Sequence, residues 1–301
     1  MLWFRKRWKA ELPFHMMALP SVVFVLVFCY GPMAGVSIAF QQFVPTSGLF
    51  GSEWIGLDNF QYLFSMPDTK RVIFNTVYIA VMKMIAGLVM PIFIALLLNE
   101  IGKKAFKRTV QTVIYMPHFL SWVILGGIVI DVLSPNYGLV GDLMDWFGLP
   151  RVFFLGNENW FPYILVSTDV WKEFGFGTIV FLAALTGINP ALYESAVIDG
   201  AGRWKQTLYV TLPGILPIVV LMGTLSLGNV LNAGFDQVFN LYNPTVYSTG
   251  DILDTYVYRM GFENLQFGVA TAVGLFKSAV SFVLISVSYL LAYRFANYRI
   301  F

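Results

Sequence analysis

Apolar residues in this 301-residue chain gather into six runs separated by short polar connections. The runs fall at 17–40, 72–98, 110–133, 161–188, 208–230 and 269–295. A hydrocarbon core about 30 Å thick needs about 20 apolar residues of helix to cross it, so each run predicts one transmembrane helix. The connection between the fourth and fifth runs differs from the others. It reads Asn189-Pro190-Ala191-Leu192-Tyr193-Glu194-Ser195-Ala196-Val197-Ile198-Asp199-Gly200-Ala201, too polar to sit in lipid yet marked at both ends as a helix. Asn189 is a good N-cap, and Pro190 suits the first helical position, where its missing N–H is no loss. Gly200 suits a left-handed helix end. The pattern predicts about three turns of helix at the membrane surface, with Leu192, Ala196 and Val197 together and Glu194, Ser195, Ile198 and Asp199 on other faces.

Composition agrees with the pattern. The chain is 57% hydrophobic and 12% charged, against about 25% charged for a soluble domain, which makes it an integral membrane protein. We expect one membrane domain spanning residues 1–301. Cys29 is the sole cysteine, which excludes an internal disulfide, and His15 and His118 lack partners at metal-ligand spacing, so no metal site is expected. A net charge of +2 is too small for a nucleic-acid partner. The basic residues speak instead to topology. With the N-terminus inside, Arg5, Lys6, Arg7, Lys9, Lys103, Lys104, Lys107, Arg108, Arg203, Lys205, Arg294 and Arg299 lie on one side, and Lys70, Arg71, Arg151 and Arg259 on the other. Basic residues resist translocation, so both termini and the Glu194 segment are expected in the cytoplasm. A basic start followed by an apolar run also fits a secretory leader. This run exceeds the usual length of about 7 to 15 residues, and Gln41-Gln42 after it offers no small-residue cleavage site.

Several chemistries are excluded by what is missing. No G-x-x-x-x-G-K-[ST] phosphate loop occurs, so the chain is expected to bind no ATP itself. Gly200-Ala201-Gly202 lacks the third glycine and the preceding strand of a dinucleotide site. H-E-x-x-H, G-x-S-x-G and paired-cysteine motifs are absent, and no enzyme activity or bound cofactor is expected. No inverted repeat of three helices is visible, which weakens a secondary-carrier reading.

Glu194-Ser195-Ala196-x-x-Asp199-Gly200-Ala201, followed by Leu212-Pro213-x-x-x-Pro217, resembles the EAA loop of permease subunits in ATP-driven, binding-protein-dependent importers. Ser195 replaces the second Ala of that motif, and Thr207 stands where an aromatic residue is common. Asn99-Glu100 with Phe106-Lys107-Arg108-Thr109, Tyr115-Met116-Pro117-His118-Phe119-Leu120-Ser121-Trp122, Trp171-Lys172-Glu173-Phe174-Gly175, Gly228-Asn229-Val230-Leu231-Asn232 and Asp254-Thr255-Tyr256-Val257-Tyr258-Arg259 extend the likeness over nearly the whole chain. These stretches resemble carbohydrate permeases, above all the Lpl-type poly- and oligosaccharide group. The resemblance implies an all-α type I ABC importer permease with six transmembrane helices. It also implies a family core at about 69–296 and a cytoplasmic coupling helix within the loop 189–208. Glu194, Ser195, Ala196, Asp199, Gly200 and Ala201 would seat in a cytoplasmic ATPase. The implied partners are a second homologous permease, two ATPase subunits using ATP and magnesium, and an external or periplasmic solute-binding protein, all at a bacterial cytoplasmic membrane. An ion-coupled sugar carrier and a non-transporting scaffold are the competing readings.

Ionisable groups within the runs cost roughly 2.5–3.5 kcal/mol each and face the bundle interior. They are Lys83, Asp131, Asp169, Lys172, Glu173 and Lys277. Asp169 lies i, i+3 and i, i+4 from Lys172 and Glu173, which predicts one polar face. Structural pairing is favoured over sugar contact for these groups, since a neutral glycan needs no buried ions. Asn229, Asn232, Asp236 and Asn240 recur at i, i+3, i+7 and i+11, which predicts a stripe on an extended fifth helix, beginning roughly 24 Å beyond Pro213. Carboxamides both donate and accept hydrogen bonds and so suit a hydroxyl-rich solute; they suit bonds between neighbouring helices equally well.

Overall fold

The computed structural model describes residues 2–228 and 230–296, with side chains for 11–228 and 230–290. Helix dominates because a backbone in hydrocarbon must satisfy its N–H and C=O groups within its own segment. The strand content among the described residues is a two-stranded antiparallel ribbon, β1 (Gln41–Gln42) with β2 (Glu53–Trp54), pairing Gln41 with Trp54. The chain divides into two compact units, 1–65 with 259–275, and 66–258 with 276–301.

In the first unit, α1 (Leu2–Val25) runs on through a π-turn and a 3-10 stretch, giving an apolar span at Glu11–Phe40. Its large side chains, including Met17, Phe24 and Phe28, are exposed, as lipid contact requires. α2 (Asp58–Ser65) holds the end of this span: the Asn59 amide donates to the carbonyls of Ala39 (2.9 Å) and Gln41 (3.0 Å). Phe43 meets Phe267 edge-on at 5.9 Å.

The second unit holds α3 (Pro67–Glu100), α4 (Lys104–Tyr115), α5 (Trp122–Leu133), α6 (Leu139–Trp146) and α7 (Phe161–Thr186). They are followed by α8 (Pro190–Ile198), α9 (Arg203–Gly228), α10 (Phe235–Leu241), α11 (Leu253–Tyr258) and the later part of α12 (Phe267–Ala296). α3 and α7 pack along their length and carry two buried apolar clusters. One joins Ile79, Val129, Phe161, Leu165, Val238 and Ile252; the other joins Ala95, Phe181, Leu185 and Ile215. Close approach depends on a missing side chain: a Cβ on Gly175 of α7 would lie 1.9 Å from the Ile114 carbonyl oxygen of α4.

Four helices among the described residues are long and apolar enough to cross a membrane: Glu11–Phe40, Pro67–Glu100, Arg203–Gly228 and Phe267–Leu290. Two bent pairs bring the number to six if each pair is one span. The third run is therefore not the uninterrupted helix that its hydropathy predicts. Lys104–Phe119 and Trp122–Leu133 meet at 104°. A 3-10 turn at Met116–Phe119 contains Pro117, Leu120 is extended, and Ser121 starts a new helix by accepting the Ile124 N–H. Proline and a serine cap together end one helix and begin another, a combination that a count of apolar residues does not register. α9 opens earlier than the fifth apolar run, at Arg203, and passes through a π-turn at Thr207–Thr211 just before Pro213, which has no N–H for the helical ladder.

Candidate functional site

α8 is closed at both ends by its own residues. Asn189 is extended and its side-chain oxygen accepts the Ala191 N–H at 3.0 Å, with Pro190 in the first turn. At the far end, Gly200 donates to Val197 (3.0 Å) and Ala201 to Ala196 (2.8 Å), with Gly200 at φ +76°. That pair of bonds is a Schellman closure, which needs a left-handed residue at the Gly200 position. Two side-chain contacts tie the segment to α9, and a third joins the start of α9 to the end of α3. The Tyr193 and Thr211 hydroxyls are 3.0 Å apart, Gln206 donates to the Ala201 carbonyl at 2.7 Å, and Arg203 donates to the Glu100 carboxylate at 2.9 Å. Glu194, Ser195 and Asp199 are exposed, while Ala196 and Ala201 are half-buried. The Ser195 hydroxyl donates back to Ala191 at 2.9 Å. Val197 and Ile198 are 61% and 85% exposed, so the outward surface mixes apolar and acidic groups. The helix therefore presents an exposed surface of mixed apolar and acidic groups and is bonded to α9 through Tyr193.

The intramembrane ion pairs form three sets, and Asp169, Lys172 and Glu173 follow one another on the continuous helix α7 while reaching different partners. Lys83 of α3 lies 3.3 Å from Asp169 of α7, donates to the Ala233 carbonyl at 2.6 Å, and donates to the Gln237 side chain. Gln237 in turn donates to the Leu165 carbonyl and the Thr168 hydroxyl, each at 2.7 Å. Lys172 donates to the His118 carbonyl (2.9 Å) and to Glu173 (2.7 Å), and His118 Nδ1 is 2.7 Å from the same carboxylate. Lys277 pairs with Asp254 at 2.5 Å. One turn of α7, about 5.4 Å, is enough to send Asp169 to α3 while Lys172 and Glu173 meet the break at 116–121.

The predicted stripe is also broken. α9 ends at Gly228, Asn229 lies outside the described residues, and the helix restarts only at Phe235 after Gly234 at φ +93°. Helical spacing across 229–240 therefore does not place these residues on one face, because 230–234 are not helical and Gly234 turns left-handed before the next helix begins. Asn232 falls in the irregular piece and lines a cavity of about 250 Å³ with Lys83, Asp169, Ser226 and Gly234. Asp236 and Asn240 sit one turn apart on α10, where the Asn240 amide donates to the Asp236 carbonyl at 2.7 Å. Sequence reading passed over Gln237, Thr168 and Ser226, and it gave Asp254 no ionic partner. Nothing in their local spacing distinguishes them; their partners are up to 154 residues away, as Gln237 is from Lys83.

Residues 87–297 match the family described as binding-protein-dependent transport system inner membrane component. The chain belongs to that family. Over 287 residues it is 41% identical to the polygalacturonan/rhamnogalacturonan transport system permease protein YteP of Bacillus subtilis strain 168, covering 95% of this chain and 89% of the relative. Protein LplB of the same strain is 39% identical over 287 residues, 95% of this chain and 90% of that one. Among solved structures, a chain of a bacterial ABC transporter that imports the acidic polysaccharide alginate superposes with a TM-score of 0.90 at 40% identity, covering 97% and 99% of the two chains. A second structure holds the bacterial alginate ABC transporter in complex with the alginate pentasaccharide-bound periplasmic protein, with a TM-score of 0.88 at 39% identity and 96% of each chain covered. The protein is thus an all-helical, multi-pass membrane permease of an ABC sugar importer, a translocation component of type I architecture. Neither an ion-coupled carrier nor a non-transporting scaffold agrees with that membership.

Proposed function

We propose that this permease passes a uronate-containing oligosaccharide or polysaccharide, delivered by an external solute-binding protein, through alternating access driven by separate ATPase subunits. The observation that carries the coupling half of this reading is α8. It is capped at both ends, bonded to α9 through the Tyr193 and Thr211 hydroxyls, followed by a turn that Gln206 holds at the Ala201 carbonyl, and exposed at Glu194 and Asp199. In this reading α8 faces the cytoplasm, as do both termini, and seats in an ATPase that holds the ATP and magnesium. A second, homologous permease completes the pathway. The cargo half rests on the relatives: galacturonan is a polymer of a uronic acid, and the alginate importer handles an acidic polysaccharide by its own description.

The cavity beside Asn232 is the pathway station we assign to this subunit, with Asp236 and Asn240 beyond it on α10. Its lining offers the Asn232 amide and the Ser226 hydroxyl, and the charge of Lys83 is balanced by Asp169. Such a lining supplies hydrogen bonds more than net charge, so acid selectivity falls mainly to the binding protein. The test is uptake by the complete importer in proteoliposomes. Oligogalacturonates should be taken up and should stimulate ATP hydrolysis, and neutral oligosaccharides of equal length should do neither. The opposite preference would refute the cargo assignment.

A further inference from the structure

A second cleft, of about 300 Å³, opens where two candidate spans end together. Glu100 is the last residue of α3 and Arg203 the first of α9. Their ion pair therefore marks the membrane surface at the end where α8 lies. Phe93, Leu96, Leu97, Leu208 and Leu212 line the cleft, and Trp204 and the Glu100–Arg203 pair stand at its rim. Its volume is at the lower bound of ordinary small-molecule sites, roughly 300 Å³.

We propose that this cleft binds an anionic glycerophospholipid, with an acyl chain against the leucines and the phosphodiester at Arg203. Three observations point to that occupant. Phe93 and Leu97 are each about half exposed at a depth where the surrounding medium is acyl chain. Trp204 is 74% exposed at the level of the ion pair, the position where indole rings settle in the headgroup region. The charge at this level is complementary to a phosphate: Lys103, Lys104 and Lys205 lie within four residues of Glu100 or Arg203 and are exposed. The guanidinium itself is 82% exposed, so its pair with Glu100 is weak, and a fork of five N–H donors has room for a phosphate oxygen beside the carboxylate. Because Arg203 belongs to the same loop as α8, a lipid held there also stiffens the junction through which α8 meets α9.

The experiment places the assembled importer in nanodiscs of phosphatidylcholine and phosphatidylglycerol, each tried as the carrier of a photoreactive acyl chain, and maps the cross-links. Adducts on 93–100 and 203–212 should be about fivefold more abundant with the phosphatidylglycerol probe. Arg203→Gln should remove that headgroup preference without changing adducts on the exposed first span, and Leu97→Trp, which fills the cleft, should remove the adducts themselves. Free glycerol phosphate should not compete. Equal labelling by the two lipids, or no adducts because a partner subunit covers the cleft, would overturn the proposal.

Discussion

Replacing Lys83 by Met tests the polar core most sharply. The ammonium is 9% exposed and serves three acceptors: the Asp169 carboxylate, the Ala233 carbonyl and the Gln237 side-chain oxygen. Methionine fills similar volume but donates nothing, which leaves a carboxylate and two neutral acceptors facing an apolar side chain. Breaking a buried ion pair from one side costs about 3–5 kcal/mol, and because Asp169 keeps 25% exposure the lower part of that range is expected. Removing both charges should behave differently. Lys83→Met with Asp169→Leu eliminates the orphaned carboxylate, and such exchanges are near neutral, so the double variant should recover most of the loss. Unfolding by SDS titration of the purified complex, followed by circular dichroism, reads both values. A single variant within about 0.5 kcal/mol of the parent, or a double variant no more stable than the single, would refute the reasoning.

Three further outcomes are expected. Gly200→Ala meets no atom within 4 Å yet must hold φ at +76°, so it should cost about 1–2 kcal/mol at the end of α8 and speed amide exchange over 196–203; unchanged exchange would contradict the Schellman closure. Gly175→Ala places a methyl 1.9 Å from the Ile114 carbonyl oxygen, and it should separate α4 from α7 and lower thermal stability by an amount typical of overpacking, about 1–3 kcal/mol, whereas an unchanged midpoint would contradict the packing. Arg151 donates to both Asp145 and Asp142 beside α6, and its hydrogen bond holds the Asp145 carboxyl below the usual range. A depressed folded value means that the contribution is present above the unfolded pKa of about 3.9 and fades as pH falls through the folded one, so amide exchange over 139–151 should quicken only below about pH 4. In Arg151→Gln it should be fast at neutral pH as well.

α8 was legible because its determinants are local: an asparagine cap, a proline in the first turn and a glycine after the last one lie within a dozen residues. The apolar runs were legible because lipid thickness dictates their length. The breaks were harder. Pro117 within an apolar run reads as a kink, and only the capping bond of Ser121 turns it into a 104° corner. Helical spacing of the asparagines carries straight through 230–234, where the chain is irregular and Gly234, at positive φ, precedes a new helix. Charged residues were visible as anomalies, but their pairing was not, since Asp169 finds its partner Lys83 on another helix and not one turn away along α7. Long-range geometry of this kind leaves no periodic trace in the chain.

The role proposed for α8 is to receive force from a separate ATPase. Its most direct test is ATP hydrolysis stimulated by the liganded binding protein, measured on the assembled importer in proteoliposomes with Glu194→Lys and Asp199→Lys combined. Stimulation should vanish while subunit assembly and membrane insertion persist. Stimulation at the parental level, with assembly intact, would contradict the claim.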